Sequence, residues 1–223
     1  MRHHTTAALV LTALTLTACS ADPSGTVPTA SSSPRGGSDA AVAKPLSSAA
    51  LSTRLLTEKD LGEGYVRTAE HTQHNDDVAV IGCPALAKLG GDAATGQSLD
   101  FPNKAKAAFI YSGGSDSEVA EELYSDSAQK LSDGVGRIFE AMASCPKYQV
   151  VSGSTAIDMT TQATSAPQLG EERWSQLLTY STGGQRSIVK QTAIRNGNVL
   201  VIVSGSPGLV DAHLDKACAK AAV

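Results

Sequence analysis

From Tyr148 to Ser204 the chain adopts a period of two and keeps it. Tyr148 to Gly153, Thr155 to Thr164, Trp174 to Thr182, Ser187 to Arg195 and Asn198 to Ser204 are short segments rich in Val, Ile and Thr, separated by small and polar residues. Successive side chains of a strand point to opposite faces, so this alternation specifies a sheet. Two of the junctions have hairpin chemistry. Asn196-Gly197 suits a type I′ turn, whose central residues both need positive φ, and Gly183-Gly184 predicts another. Strands joined by turns this short are antiparallel. Val199 to Val203 is apolar on both faces, which predicts a central strand.

Upstream the elements are mixed. Leu51, Leu55 and Leu56 predict a first helix, and Leu56-Thr57-x-x-Asp60-Leu61 starts a second that Gly62 and Gly64 end. Val78 to Ile81 is a short strand, Cys83-Pro84 opens a helix through Leu89 stopped by Gly90-Gly91, and Lys104 to Tyr111 alternates with Ala105, Ala107, Phe109 and Tyr111 on one face. The strongest helical pattern follows. Ser115-x-x-Glu118 has the form of a capping box, and Tyr124, Ala128, Leu131, Val135, Ile138 and Met142 recur at steps of four and three. Gly134 and Gly136 each cost about 1 kcal/mol in a helix relative to Ala, which predicts a bend or a closely approaching partner. Pro146 ends the helix. Ser206-Pro207 supplies a cap and first residue for a final helix with a buried stripe of Val210, Leu214, Ala217 and Ala221. The expected class is α+β, a mostly antiparallel β-sheet with a long helix and a C-terminal helix packed on one face.

The amino terminus gives an address. Arg2, His3 and His4 precede an apolar run from about Ala7 to Leu16, and Leu16-Thr17-Ala18-Cys19 closes it. A basic start, a short apolar core and small residues before the cut make an export signal. The cysteine after them makes it a lipobox. Residues 1–18 are then the lipoprotein signal peptide, and Cys19 carries a diacylglycerol, with a further acyl chain such as palmitate on the new amino group. Two or three chains hold a protein on a membrane where one does not. The alternative is an ordinary signal peptide with a chance cysteine. Residues 19–45 are mostly Ser, Thr, Ala, Gly and Pro, too poor in apolar surface to order themselves, and form a tether spanning roughly 30 Å. Residues 46–223, about 175 in number, suffice for a single globular domain. The expected place is extracytoplasmic, anchored by lipid to the outer face of the cell membrane.

Several function classes drop out. Lys and Arg total 18 against 22 Asp and Glu, with a net charge of −4 and no basic patch, so nucleic acid is not an expected partner. Ser127-x-x-Lys130 and Ser187-x-x-Lys190 match a loose motif of penicillin-binding enzymes, but the Lys-Thr-Gly element is absent. There is no Gly-x-Ser-x-Gly elbow. His71, His74, Asp76 and Asp77 offer metal-type donors, but their spacing suits a solvated loop better. His213 is expected at the surface, and Trp174, the single tryptophan, in the core rather than as a ligand platform. No catalytic, metal or cofactor residue is assigned. Of the domain cysteines, Cys83 and Cys145 both precede proline at element boundaries and are the favoured disulfide in an oxidising compartment. The alternatives are pairing of either with Cys218, or no bridge. Cys218 lies on the apolar side of the last helix, where a buried free thiol is the usual fate.

Ala105-x-Ala-Ala-Phe109, the helix ending in Ser144-Cys145-Pro146, the Trp174 strand and Gly197-Asn198-Val-Leu-Val before the last helix together resemble the PknH-like extracellular sensor domain family of actinobacteria, over about Leu51 to Ala222. That family includes kinase ectodomains and free-standing lipoproteins. The resemblance implies an α+β sheet with helices on one side and a central cleft for an unidentified ligand. Kinase-type members carry two disulfides, whereas this chain has three domain cysteines and no kinase domain. The expectation is a non-catalytic binding or sensor module of the cell envelope for a small-molecule, glycan or envelope-protein ligand. A structural or assembly lipoprotein is the alternative, and a wall hydrolase a weaker one. A cleft lined by Tyr or Trp with convergent polar groups favours the first, and a flat apolar patch of several hundred Å² the second.

Overall fold

The computed structural model describes residues 44–69, 78–91, 93, 99–113 and 117–222. The lipobox with Cys19, the tether to residue 43, the His71/His74 loop and Ser115 lie outside the described residues.

Among the described residues nine strands form one sheet: β1 (Tyr65–Arg67), β2 (Val78–Ile81), β3 (Asn103–Tyr111), β4 (Ser117–Ser125), β5 (Lys147–Ser152), β6 (Thr155–Ala163), β7 (Glu172–Thr182), β8 (Gln185–Asn196) and β9 (Val199–Gly205). Their order is β1-β3-β4-β9-β8-β7-β6-β5-β2, and every neighbouring pair is antiparallel. The five period-two segments of the sequence become β5 to β9, and β9 is central as its two-sided apolarity requires. Thr182 pairs with Gln185 around Gly183 and Gly184, whose φ values of 55° and 80° match the type I′ requirement. The β8–β9 turn is centred one residue later than expected. Asn196 and Val199 pair directly, so Gly197 and Asn198 make the turn, with Gly197 at φ 57°. The short β1 on β3 carried no sequence signal.

The helices are α1 (Ser48–Ser52), α2 (Glu58–Leu61), α3 (Pro84–Ala87), α4 (Ala128–Ser144) and α5 (Pro207–Ala221). Thr57 and Asp60 form a capping box on α2. The expectation of a single helix from Ser115 to Met142 is corrected. Residues 117–125 are β4, and α4 begins only at Ala128, where the Ser127 hydroxyl accepts from the Lys130 amide. Within β4, Val119 and Leu123 are buried on one face and Tyr124 on the other, so the segment is a strand covered on both sides. Three glutamates gave it a helical composition. In the strand Glu122 pairs with Lys106 at 2.8 Å, and the Glu121 carboxylate accepts from the Leu56 amide at 2.6 Å. Gly134 allows a close approach, since a Cβ there would lie 2.6 Å from Cζ of Phe101.

The two long helices pack on opposite faces of the sheet, not on one. On β9, Val199, Val201 and Val203 cluster with Val210, Leu214, Ala217 and Ala221 of α5, while Leu200 and Ile202 cluster with Leu131, Val135 and Phe139 of α4. Alternation forces this once both helices reach the same strand. Helices α1, α2 and α5 cover one face from β3 to β8, and α3 and α4 cover the other from β9 to β2. One face of β6, with Asp158, Thr160 and Gln162, stays exposed. Cys83 at the start of α3 and Cys145 at the end of α4 form a disulfide, the favoured pairing, and Cys218 is free and half-buried.

Candidate ligand-binding site

The face under α5 does not close completely. Val210 and Leu214 fill the first half of the helix interface, but its last turns present Ala217, Cys218 and Ala221, and small side chains leave space above the sheet. The result is a cavity of about 630 Å³, within the range of small-molecule sites. Its floor is aliphatic: Ile194, Val199 and Val201 from the sheet, with Leu46 and Leu169 at the sides. Its rim is polar and carries both signs, with Lys44 and Arg54 opposing Glu171 and Asp215. Arg54 donates to the carbonyl of Ala221 at 2.8 Å and fixes the helix end, and Asn198 donates to the carbonyl of Lys44 at 2.7 Å and fixes the incoming chain. Cys218 faces this space. Burial, with Asp215 and Glu121 nearby, pushes its thiol up to about 12, which disfavours the nucleophilic thiolate at ordinary pH.

Behind the helix lies Glu121, 1% exposed, with Oε2 on the Leu56 amide and Oε1 without a hydrogen-bond partner among the described residues. Burial raises its pKa to about 7, against the lowering effect of the Leu56 amide. On the opposite side of the sheet, Arg195 is buried and bonded to Glu172 at 2.6 Å, Glu171 at 2.7 Å and the carbonyl of Gly197 at 2.9 Å. Its hydrogen bond, more than any other contact, holds the Glu172 carboxyl below its usual range.

Neither Ser-x-x-Lys match makes a catalytic pair. The Ser127 hydroxyl caps α4, and Lys130 turns to Asp126 at 3.4 Å. Ser187 and Lys190 lie three apart on a strand and therefore on opposite faces, with Lys190 engaged by Asp211. His213 is not a free surface residue. Its Nε2 lies 2.6 Å from the Tyr65 hydroxyl, the rings meet edge to face at 5.1 Å, and burial, then Lys216, lowers its pKa. Among the described residues no cluster of three His, Cys, Asp or Glu could hold a metal. Trp174 is half-buried, packs on Phe139 with centroids 6.3 Å apart, and lines a second groove of about 410 Å³ against α4. Of the exposed large apolar residues, Val66 and Ile81 sit on the two opposite edge strands and cannot join into one patch. The aliphatic cavity itself had no motif to announce it, because it is made by what side chains leave unfilled.

No protein-family model matches the chain, and no curated protein matches it. Among solved structures, the extracellular domain of PknH from Mycobacterium tuberculosis aligns with 80% of this chain and 97% of its own length, at 13% identity and a TM-score of 0.58. A putative uncharacterized protein (Rv0999 ortholog) from Mycobacterium smegmatis aligns with 67% of this chain and 78% of its own, at 12% identity and a TM-score of 0.36, too slight to define a common fold. The likeness to the PknH domain is one of fold and defines no family. The fold is thus one used by an extracellular domain, and no described helix is long and apolar enough to cross a membrane.

Proposed function

We propose that this protein is a lipid-anchored, extracytoplasmic binding module without catalytic activity, held to the membrane through Cys19, and that its ligand site is the cavity between the end of α5 and the sheet. The observation that carries this reading is that cavity of about 630 Å³ with an aliphatic floor and a rim of mixed charge. No aromatic side chain among the described residues lines it, so it suits the alkyl part of an amphiphile, with the polar end at Arg54 and Asp215. Of the residues at the cavity mouth, Lys44 belongs to the end of the tether and Leu46 directly follows it, which supports a site beside the chain that would lead to the membrane. The likeness to an extracellular domain supports the location.

Ala219→Trp tests this reading, because Ala219 lines the cavity but is exposed on α5, so an indole there fills the mouth without touching the core. Palmitic acid at a hundred times its dissociation constant stabilises a one-site binder by about 2.7 kcal/mol. That corresponds to a rise of roughly 5 to 10 °C in melting temperature for a domain of this size. The wild type shows the rise and the variant does not. Equal shifts in both, or none in either, would mean that the cavity is not the ligand site.

A further inference from the structure

We propose that the groove between α4 and Trp174 is a saccharide subsite, on the face of the sheet opposite the aliphatic cavity and independent of it. The groove holds about 410 Å³ and is lined by Ser132, Asp133, Gly136, Arg137, Glu140 and Trp174. Gly136 is the telling residue. Glycine is a poor helix former, and at Gly134 the close approach of Phe101 explains its use. No such reason exists at Gly136, where an added Cβ would find nothing nearer than Cζ2 of Trp174 at 4.0 Å, an ordinary contact. What its missing side chain does is leave the space beside the indole open. The wall is held in place beforehand: the Ser132 hydroxyl donates to Glu172 at 3.1 Å, Glu172 is fixed by Arg195, and Arg137 Nε donates to the carbonyl of Asp133 at 2.9 Å.

The chemistry of the lining selects the ligand class. An indole beside a row of side chains that together offer hydroxyl, carboxylate and guanidinium groups matches a sugar ring, which has an apolar C–H face and hydroxyls around its edge. A simple cation would meet Arg137, and a simple anion would meet Asp133 and Glu140. A neutral saccharide uses both signs.

Trp174 is the single tryptophan of the chain, so its fluorescence reports on this groove alone. The full-length protein in a non-glycosidic detergent is titrated with chitotetraose, cellotetraose and maltotetraose. At least one gives a saturable change in emission. Gly136→Ala keeps a melting temperature at or above that of the wild type, while the affinity falls by about tenfold. Should that variant not fold, Arg137→Ala, exposed on α4, is read instead, and loss of affinity again supports the subsite. No saturable response to any of the three sugars overturns the proposal, as does a folded Gly136→Ala, or an Arg137→Ala read in its place, that binds as tightly as the wild type.

Discussion

Glu121 is buried beneath the turn between α1 and α2, with Asp60 and Lys220 as the charged groups facing it and the Leu56 amide as its donor. Its pKa is raised to about 7 from 4.5. A carboxyl with a raised folded value binds its proton more tightly in the native state, so its contribution is full below pH 4.5, is lost as pH rises to 7, and is absent above. Glu121→Gln should therefore lose less stability than the wild type between pH 5 and pH 8, by an amount on the order of 3 kcal/mol, measured by urea unfolding. His213 has the opposite sign, since its lowered pKa costs stability as pH falls below 6.5, but it is common to both proteins and cancels in the difference. Identical pH slopes would mean that Glu121 reaches solvent. At Cys218, a thiol pushed up to about 12 carries on the order of a thousandfold less thiolate near neutrality than an ordinary one. Its alkylation by iodoacetamide, mapped to the peptide, should be slow in the native protein and fast in urea. The place of Cys218 on the apolar side of the last helix was legible in the sequence, but that of Glu121, which looks like a helix former there, was not, because burial of an acid in a strand depends on partners from distant segments.

At the scale of elements, alternation and turn chemistry made β5 to β9 readable, since both are local. The stripe Val210, Leu214, Ala217 and Ala221 is buried as expected. Strand β4 was misread because Tyr124 and Ala128 continue the helical spacing of α4 backward by chance across the break at Ser125-Asp126-Ser127. Met142, with 0% exposure, packs beneath α4 in the cluster that the disulfide closes. Met142→Asp places an unpaired charge there and should cost about 3 kcal/mol or more, read as a lowered denaturation midpoint. Cys83 and Cys145 are separated by 62 residues, and removing a bridge over such a loop costs about 4 kcal/mol in the chain-entropy model. The double variant to serine should match the reduced wild type in stability. A larger loss in the variant would point to packing of the sulfurs rather than chain entropy.

For the whole molecule, the class was legible and the arrangement was not. The two-sided apolarity of Val199 to Val203 already required cover on both faces, and α4 and α5 provide one each, which the expectation of helices on one face missed. A cavity is harder still to foresee, because it depends on small residues of α5 meeting the sheet at a distance no local pattern encodes. The address, by contrast, rests on the sequence alone. Cys19→Ala should move the protein from the membrane fraction to the medium or leave it unprocessed, and a cleaved variant still bound to membranes would contradict the lipid anchor. Binding in the cavity under α5 is read by native mass spectrometry of the protein purified from its own host. One alkyl-containing molecule per chain should be retained in the wild type and none in Ala219→Trp. A wild type that carries nothing, or a ligand retained equally by the variant, would contradict it.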